Sequence, residues 1–124
     1  MGKLSRSKGK RGEYEMRDFL RKWFPDARRG ANQSRSGSDS ADVEGTPFWT
    51  EAKLGAKPNV RAALEQAAVA ADAHAEDRPV LVYIRDDFSD PFFAMPAATL
   101  TFLLDAAYGE HNSGTLAEVF RDDK

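Results

Sequence analysis

PFWTEAKLGAKPNVRAALEQAAVAADAHAEDRPVLVYI, residues 47–84, is the stretch whose reading decides the fold. It closes on Val80-Leu81-Val82-Tyr83-Ile84, an unbroken apolar run behind Pro79, as expected of a fully buried strand. It opens on residues 47–53, which with residues 41–44 read as two strands joined by a tight turn at Gly45. Between the ends, Asn59 is an N-cap for a long Ala-rich helix reaching to about residue 76. A helix crossing from one strand to the next is a crossover unit, so a mixed sheet flanked by helices follows.

The neighbouring segments extend this pattern. Upstream, Met16, Phe19, Leu20, Trp23 and Phe24 recur at three- and four-residue spacing, predicting a helix over residues 12–24 that Pro25 ends. Residues 27–29 form a short strand, followed by a loop over residues 30–40. Downstream, residues 90–95 form a further strand, and a helix over residues 96–107 stops at Gly109. Leu116, Val119 and Phe120 add a turn or two beyond it. The expected order is α-β-β-β-α-β-β-α, an α/β domain with a mixed central β-sheet. Residues 1–11 form a basic flexible arm, residues 12–109 a single domain and residues 110–124 an acidic tail.

With 124 residues the chain has room for one domain, and a hydrophobic fraction of 41% beside a charged fraction of 31% fits a globular protein. The absence of cysteine excludes disulfides, thiolate zinc sites and a Cys nucleophile. No apolar stretch follows the basic N-terminus as a signal peptide requires. The most apolar run, residues 96–108, is too short to span a bilayer and carries Asp105, so a cytoplasmic location is expected. The net charge of −2 conceals a division. Residues 1–35 hold eleven Lys/Arg against four acids, or +7, which leaves −9 for the remainder. A basic arm and first helix on an acidic body is the footprint of phosphate contact, although a merely solvated basic face has the same composition.

There is no GxxxxGK[ST] phosphate loop, HExxH or GxSxG elbow, and His74 and His111 have no nucleophile or ligand cluster beside them. What remains is a carboxylate constellation. Along a strand Glu51 and Lys53 share one face while Ala52 points to the core. If the strands on either side of Gly45 pair as a hairpin, Asp42 reaches that same face. Two carboxylates, a backbone carbonyl and water make a hard oxygen site suited to Mg²⁺ or Mn²⁺. A surface ion-pair strand is the competing reading of the same triad.

The wider arrangement bears on that choice. Lys8-Gly9-Lys10-Arg11-Gly12-Glu13 opens the first helix, then come Arg29, Ser36-Gly37-Ser38, Ala41-Asp42-Val43 and Glu51-Ala52-Lys53. In this order the chain resembles the PD-(D/E)xK nuclease superfamily, and most closely its archaeal-type Holliday junction resolvases, over about residues 8–85. The resemblance implies a restriction-endonuclease-like fold and a Mg²⁺-dependent endonuclease cutting four-way DNA junctions. It makes Glu13, Asp42 and Glu51 metal-site acids, with the Ala52 carbonyl beside them, and Lys53 the catalytic lysine. Glu13 would touch a second metal at the leaving 3′-oxygen.

The resemblance also places Arg29, or in its stead Arg28, near the site, and the loop of Ser36 and Ser38 against the scissile strand. Lys8, Lys10, Arg11, Arg17, Arg21 and Arg35 would hold flanking phosphates without reading bases. Gln66 stands either toward the site or on a solvated face. Resolvases of this type are homodimers, and Phe92, Phe93, Leu100, Phe102, Leu103 and Leu104 either form the two-fold patch or complete one small core. The chain departs from the pattern at Ala41, where Pro is usual, and at Tyr14, where the resolvases commonly carry Arg. Its loop before Asp42 is also longer and its Asp42–Glu51 hairpin shorter. A repair nickase, a restriction-type nuclease, a non-catalytic DNA-binding module of the same fold and an acidic protein-interaction domain are the other readings.

Overall fold

The computed structural model describes residues 2–30, 40–74, 77–87 and 89–109, with side chains from Lys10 onward. Among the described residues the elements run α1 (Gly2–Leu20), β1 (Arg28–Arg29), β2 (Val43–Glu44), β3 (Trp49–Gly55), α2 (Val60–Ala73), β4 (Val80–Asp86), β5 (Phe92–Ala94) and α3 (Ala97–Tyr108). The expected α/β order holds.

The centre is a mixed three-stranded sheet in the order β3-β4-β5. β3 and β4 run parallel, with Glu51 beside Val82 and Lys53 beside Ile84, and β5 returns antiparallel on the far side. Parallel neighbours need a crossover, which α2 supplies. It starts where the Asn59 side chain accepts the Ala62 N–H at 3.0 Å. β4 is apolar without alternation because both of its faces are covered. Val80, Val82 and Ile84 pack with Trp49 against Ala63, Ala67, Ala70 and Ala71 of α2. Leu81 and Tyr83 pack on the other side against Met16 and Leu20 of α1. The alanines let α2 lie close to the sheet.

The start of the chain differs from expectation. α1 begins at Gly2 rather than at residue 12, so it runs through the segment expected as an arm. Its regular part ends at Leu20, and a tightened turn carries the backbone to Phe24, whose N–H reaches the Leu20 carbonyl at 2.9 Å. Trp23, expected on the buried stripe, is 62% exposed at this loosened end. Gly12 lies where α1 meets β3, and a Cβ there would stand 2.6 Å from Leu54 Cδ1.

The proposed hairpin also takes another form. β2 pairs antiparallel with β1, Arg29 opposite Val43, in a two-stranded sheet of its own. Gly45 turns the chain from β2 to β3 at φ +85°, and a Cβ at this position would run into the Asp26 carbonyl oxygen. Only glycine meets both demands. The candidate dimer patch divides: Phe93 and Leu103 pack against the α1-side core, while Phe92, Leu100, Phe102 and Leu104 stay exposed. Among the described residues no helix is long and apolar enough to cross a membrane. Leu116, Val119, Phe120 and the acidic tail lie outside the described residues.

Candidate active site

β3 is an edge strand of the larger sheet, and β2 docks beside its first half. The Asp42 N–H donates to the Thr50 carbonyl at 3.0 Å. The Thr50 hydroxyl accepts the Val43 N–H at 2.8 Å and donates to the Val43 carbonyl at 3.0 Å. One step further along the edge, Asp42 Oδ2 accepts the Ala52 N–H at 2.8 Å. A carboxylate thus takes the place of the missing strand partner. Because a strand residue's N–H and C=O leave on the same side, the Ala52 carbonyl faces this edge too. Ala52 packs its methyl toward the α1-side core, and Glu51 and Lys53 alternate to the other face, as the sequence predicts.

Asp42 is only 7% exposed. Burial, reinforced by the Glu51 charge and by Glu13, pushes its pKa up to about 8, against the opposing pull of the Ala52 N–H. Burial also raises Glu51, while the Lys53 ammonium and a hydrogen bond with Asp42 draw it back. The two carboxyl groups are therefore close neighbours in a desolvated place, where burial raises both.

Glu13 lies near enough to act on both groups, but Arg29 holds its carboxylate. Arg29 Nε and Nη2 each reach Glu13 Oε1 at 2.8 Å. Arg29, and not Arg28, is the arginine beside the carboxylates. Arg28 is exposed and donates to the Asp26 carbonyl at 3.2 Å. Tyr14 has the guanidinium groups of Arg17 and Arg29 over its ring at 4.6 and 5.2 Å. Two residues beyond Glu13, Glu15 accepts the Tyr83 hydroxyl at 2.9 Å and both arms of Arg85 at 2.9 and 2.8 Å, tying α1 to β4.

The remaining expected residues are placed as follows. Gln66, exposed on α2, lines a 260 Å³ pocket together with Lys53, Pro58 and Asn59, so the crossover helix does bring it beside the lysine. Lys10 and Arg11 are exposed, Arg11 standing 4.0 Å from Glu15. Arg17 pairs with Asp18 at 2.8 Å, and Arg21 donates to the Ala27 carbonyl at 2.8 Å. Arg35, Ser36, Ser38, His111 and the side chain of Lys8 lie outside the described residues. His74 is exposed at the end of α2 and stacks on Trp49, with ring centroids 5.6 Å apart. An apolar pocket of 340 Å³ between α1, β5 and α3 includes none of the carboxylates.

Two features were not foreseen. The Thr50 hydroxyl couples the two sheets, and Glu15 anchors the helix that carries Glu13. A threonine before Glu51 reads from sequence as an ordinary strand residue, and one acid among several on α1 carries no distinguishing mark.

Among the described residues no group of three or more His, Cys, Asp or Glu side chains forms a ready metal cage, consistent with Glu13 being held by Arg29. The donor chemistry of the remaining pair nevertheless fits a hard divalent cation: two neighbouring buried carboxyl groups stand beside an outward-facing carbonyl. No protein-family model, curated protein or solved structure matches the chain.

Proposed function

We propose that this chain is a metal-dependent, structure-selective DNA endonuclease of the PD-(D/E)xK type, hydrolysing phosphodiesters at four-way junctions. The observation that carries the reading is the contact of the Asp42 and Glu51 carboxyls at the open edge of β3, with Lys53 acting on Glu51. Asp42, Glu51 and the Ala52 carbonyl would hold Mg²⁺, or Mn²⁺ in its place. Such an ion supplies Lewis acidity toward the phosphate and a water of lowered pKa.

The chain's own groups do the rest. Lys53 Nζ, on the same face as Glu51, stabilises negative charge on the phosphate oxygens as the ester bond breaks. Arg29 holds the Glu13 carboxylate beside the pair. Lys10, Arg11, Arg17 and Arg28 offer positive charge to flanking phosphates, a contact that follows backbone shape and not base identity. On this reading the protein works in the cytoplasm as a homodimer, with Phe92, Leu100, Phe102 and Leu104 supplying apolar surface for a second copy.

Incubation of the full chain with a four-way junction and with a linear duplex of the same sequence, in Mg²⁺ and in EDTA, tests the proposal. Cutting is expected only in Mg²⁺ and preferentially on the junction. Equal cutting of both DNAs would replace the resolvase by a nickase or restriction-type nuclease. Glu51→Ala and Lys53→Ala are expected to abolish cutting while junction binding in Ca²⁺ persists, and unchanged turnover in Lys53→Ala would remove its assigned role.

A further inference from the structure

We infer that Thr50 is a positioning residue, whose hydroxyl sets the spacing of Asp42 from Glu51 and thereby the affinity of the pair for a divalent cation. The inference rests on the metal-site reading above and adds to it a residue that touches neither metal nor DNA.

Asp42 and Glu51 stand on segments that belong to different sheets, so no regular ladder fixes one against the other. The Asp42 N–H and carboxylate and both backbone groups of Val43 bond to β3, and the Thr50 side chain takes both Val43 bonds. In a regular pairing Val43 would exchange its N–H and C=O with the backbone of a partner strand. Here one oxygen meets both, because a hydroxyl donates and accepts at once. Beyond the direct backbone bond from Asp42 to Thr50, the side chain interposed at Val43 takes the place of direct pairing. On the other side of that direct bond the Asp42 carboxylate reaches the Ala52 N–H and meets Glu51. Thr50 is fully buried, so water cannot replace the hydroxyl. Its neighbour in sequence is Glu51 itself, so any shift of β2 along β3 passes directly into the carboxylate spacing.

Valine has the shape of threonine without the hydroxyl and leaves both Val43 groups unpaired. Serine keeps the hydroxyl. Thr99 provides a matched control: it is equally buried, and its hydroxyl donates to the Val80 carbonyl at 2.6 Å, outside the carboxylate site. The experiment is calorimetric titration of Mn²⁺ into the full-length chain and its variants, each checked for folding by circular dichroism. Outer-shell partners of metal ligands typically govern affinity by about 10- to 100-fold. Thr50→Val is therefore expected to weaken Mn²⁺ binding by at least about tenfold, Thr50→Ser to stay within about threefold of the parent, and Thr99→Val to bind as the parent does.

On junction DNA, Thr50→Val should lower kcat and leave KM unchanged. Parental Mn²⁺ affinity in Thr50→Val overturns the inference, as does an equal loss in Thr99→Val, which would mark a general effect of lost stability. If Thr50→Val does not fold, Thr50→Cys, of similar shape with a weaker hydrogen-bonding group, takes its place; an intermediate loss supports the role and parental affinity overturns it. A parent chain that binds no Mn²⁺ fails differently, since it removes the metal-site reading itself and this inference with it.

Discussion

β3 and β4 lie side by side in parallel register, seven residues against seven, and obey opposite rules. Glu51 is paired with Val82 and Lys53 with Ile84. From Val80 to Ile84 every residue of β4 is buried, and the strand turns polar only at Arg85 and Asp86. β3 is buried at Trp49 and Thr50 and half-buried from Glu51 onward. The difference follows from position: β4 is covered by strands on both edges and helices on both faces, whereas β3 keeps one edge partly open. An open edge has backbone groups that need partners and room for charges that a central strand excludes. The neighbouring carboxyls therefore lie at the strand whose edge the fold leaves open.

If this division is correct, a charge on β4 damages the fold and one on β3 does not. Val82→Asp places a carboxylate where the native side chain is 0% exposed, directly beside Glu51. The expected loss is about 3–5 kcal/mol, read by urea unfolding, because the new charge has no partner. A stable, cooperatively folding Val82→Asp protein would show that the centre of the sheet is as permissive as its edge.

The next effect tests the cost of the charges that β3 does hold. In the unfolded chain Asp42 takes its ordinary value near 3.8, and in the folded chain about 8. Between these values the native state keeps a proton that the unfolded state has lost. The stability that Asp42 contributes is thus full below about pH 4 and disappears as pH rises through 8. In EDTA the melting temperature should fall from pH 5 to pH 8, corresponding to on the order of 3–4 kcal/mol. Mg²⁺ should restore more of it at pH 8 than at pH 5, where the proton competes with the ion. Asp42→Asn should flatten the profile, since its amide can accept the Ala52 N–H and donate to Glu51. A wild-type profile as flat as that of Asp42→Asn would mean that the two carboxyls are not in contact.

Sequence reading located β4 well because burial on both faces leaves an unmistakable run of apolar residues. It also placed Glu51 and Lys53 on one face and Ala52 on the other, since strand alternation is a local property. It misjudged how Asp42 reaches them. Two strands separated by a glycine turn look like a hairpin, but β2 ladders with β1 and meets β3 through one backbone bond and the Thr50 and Asp42 side chains. A side-chain hydroxyl standing in for a backbone ladder has no sequence signature. The start of α1 was missed for a related reason: its first turns are glycine, lysine, serine and arginine around the single apolar Leu4, without the stripe that periodicity detects.

The smallest effect concerns the polar end of β4, which shows that charge alone does not distinguish the two strands. Arg85 leaves the covered region and meets Glu15 of α1 through two hydrogen bonds, with Tyr83 on the same carboxylate. Burial raises Glu15, but the Arg85 and Tyr83 hydrogen bonds outweigh it and hold the group below its ordinary value. This is an acid with its base, the reverse of the Asp42 and Glu51 pair, and such an arrangement leaves nothing for a cation to supply. Both partners remain partly exposed, at 23% and 29%, so solvent screens the pair. Arg85→Gln is expected to cost about 0.5–1 kcal/mol in urea unfolding and to leave Mn²⁺ affinity unchanged. A large loss of Mn²⁺ binding in Arg85→Gln would break the comparison, because the polar end of β4 would then belong to the site through the helix that carries Glu13.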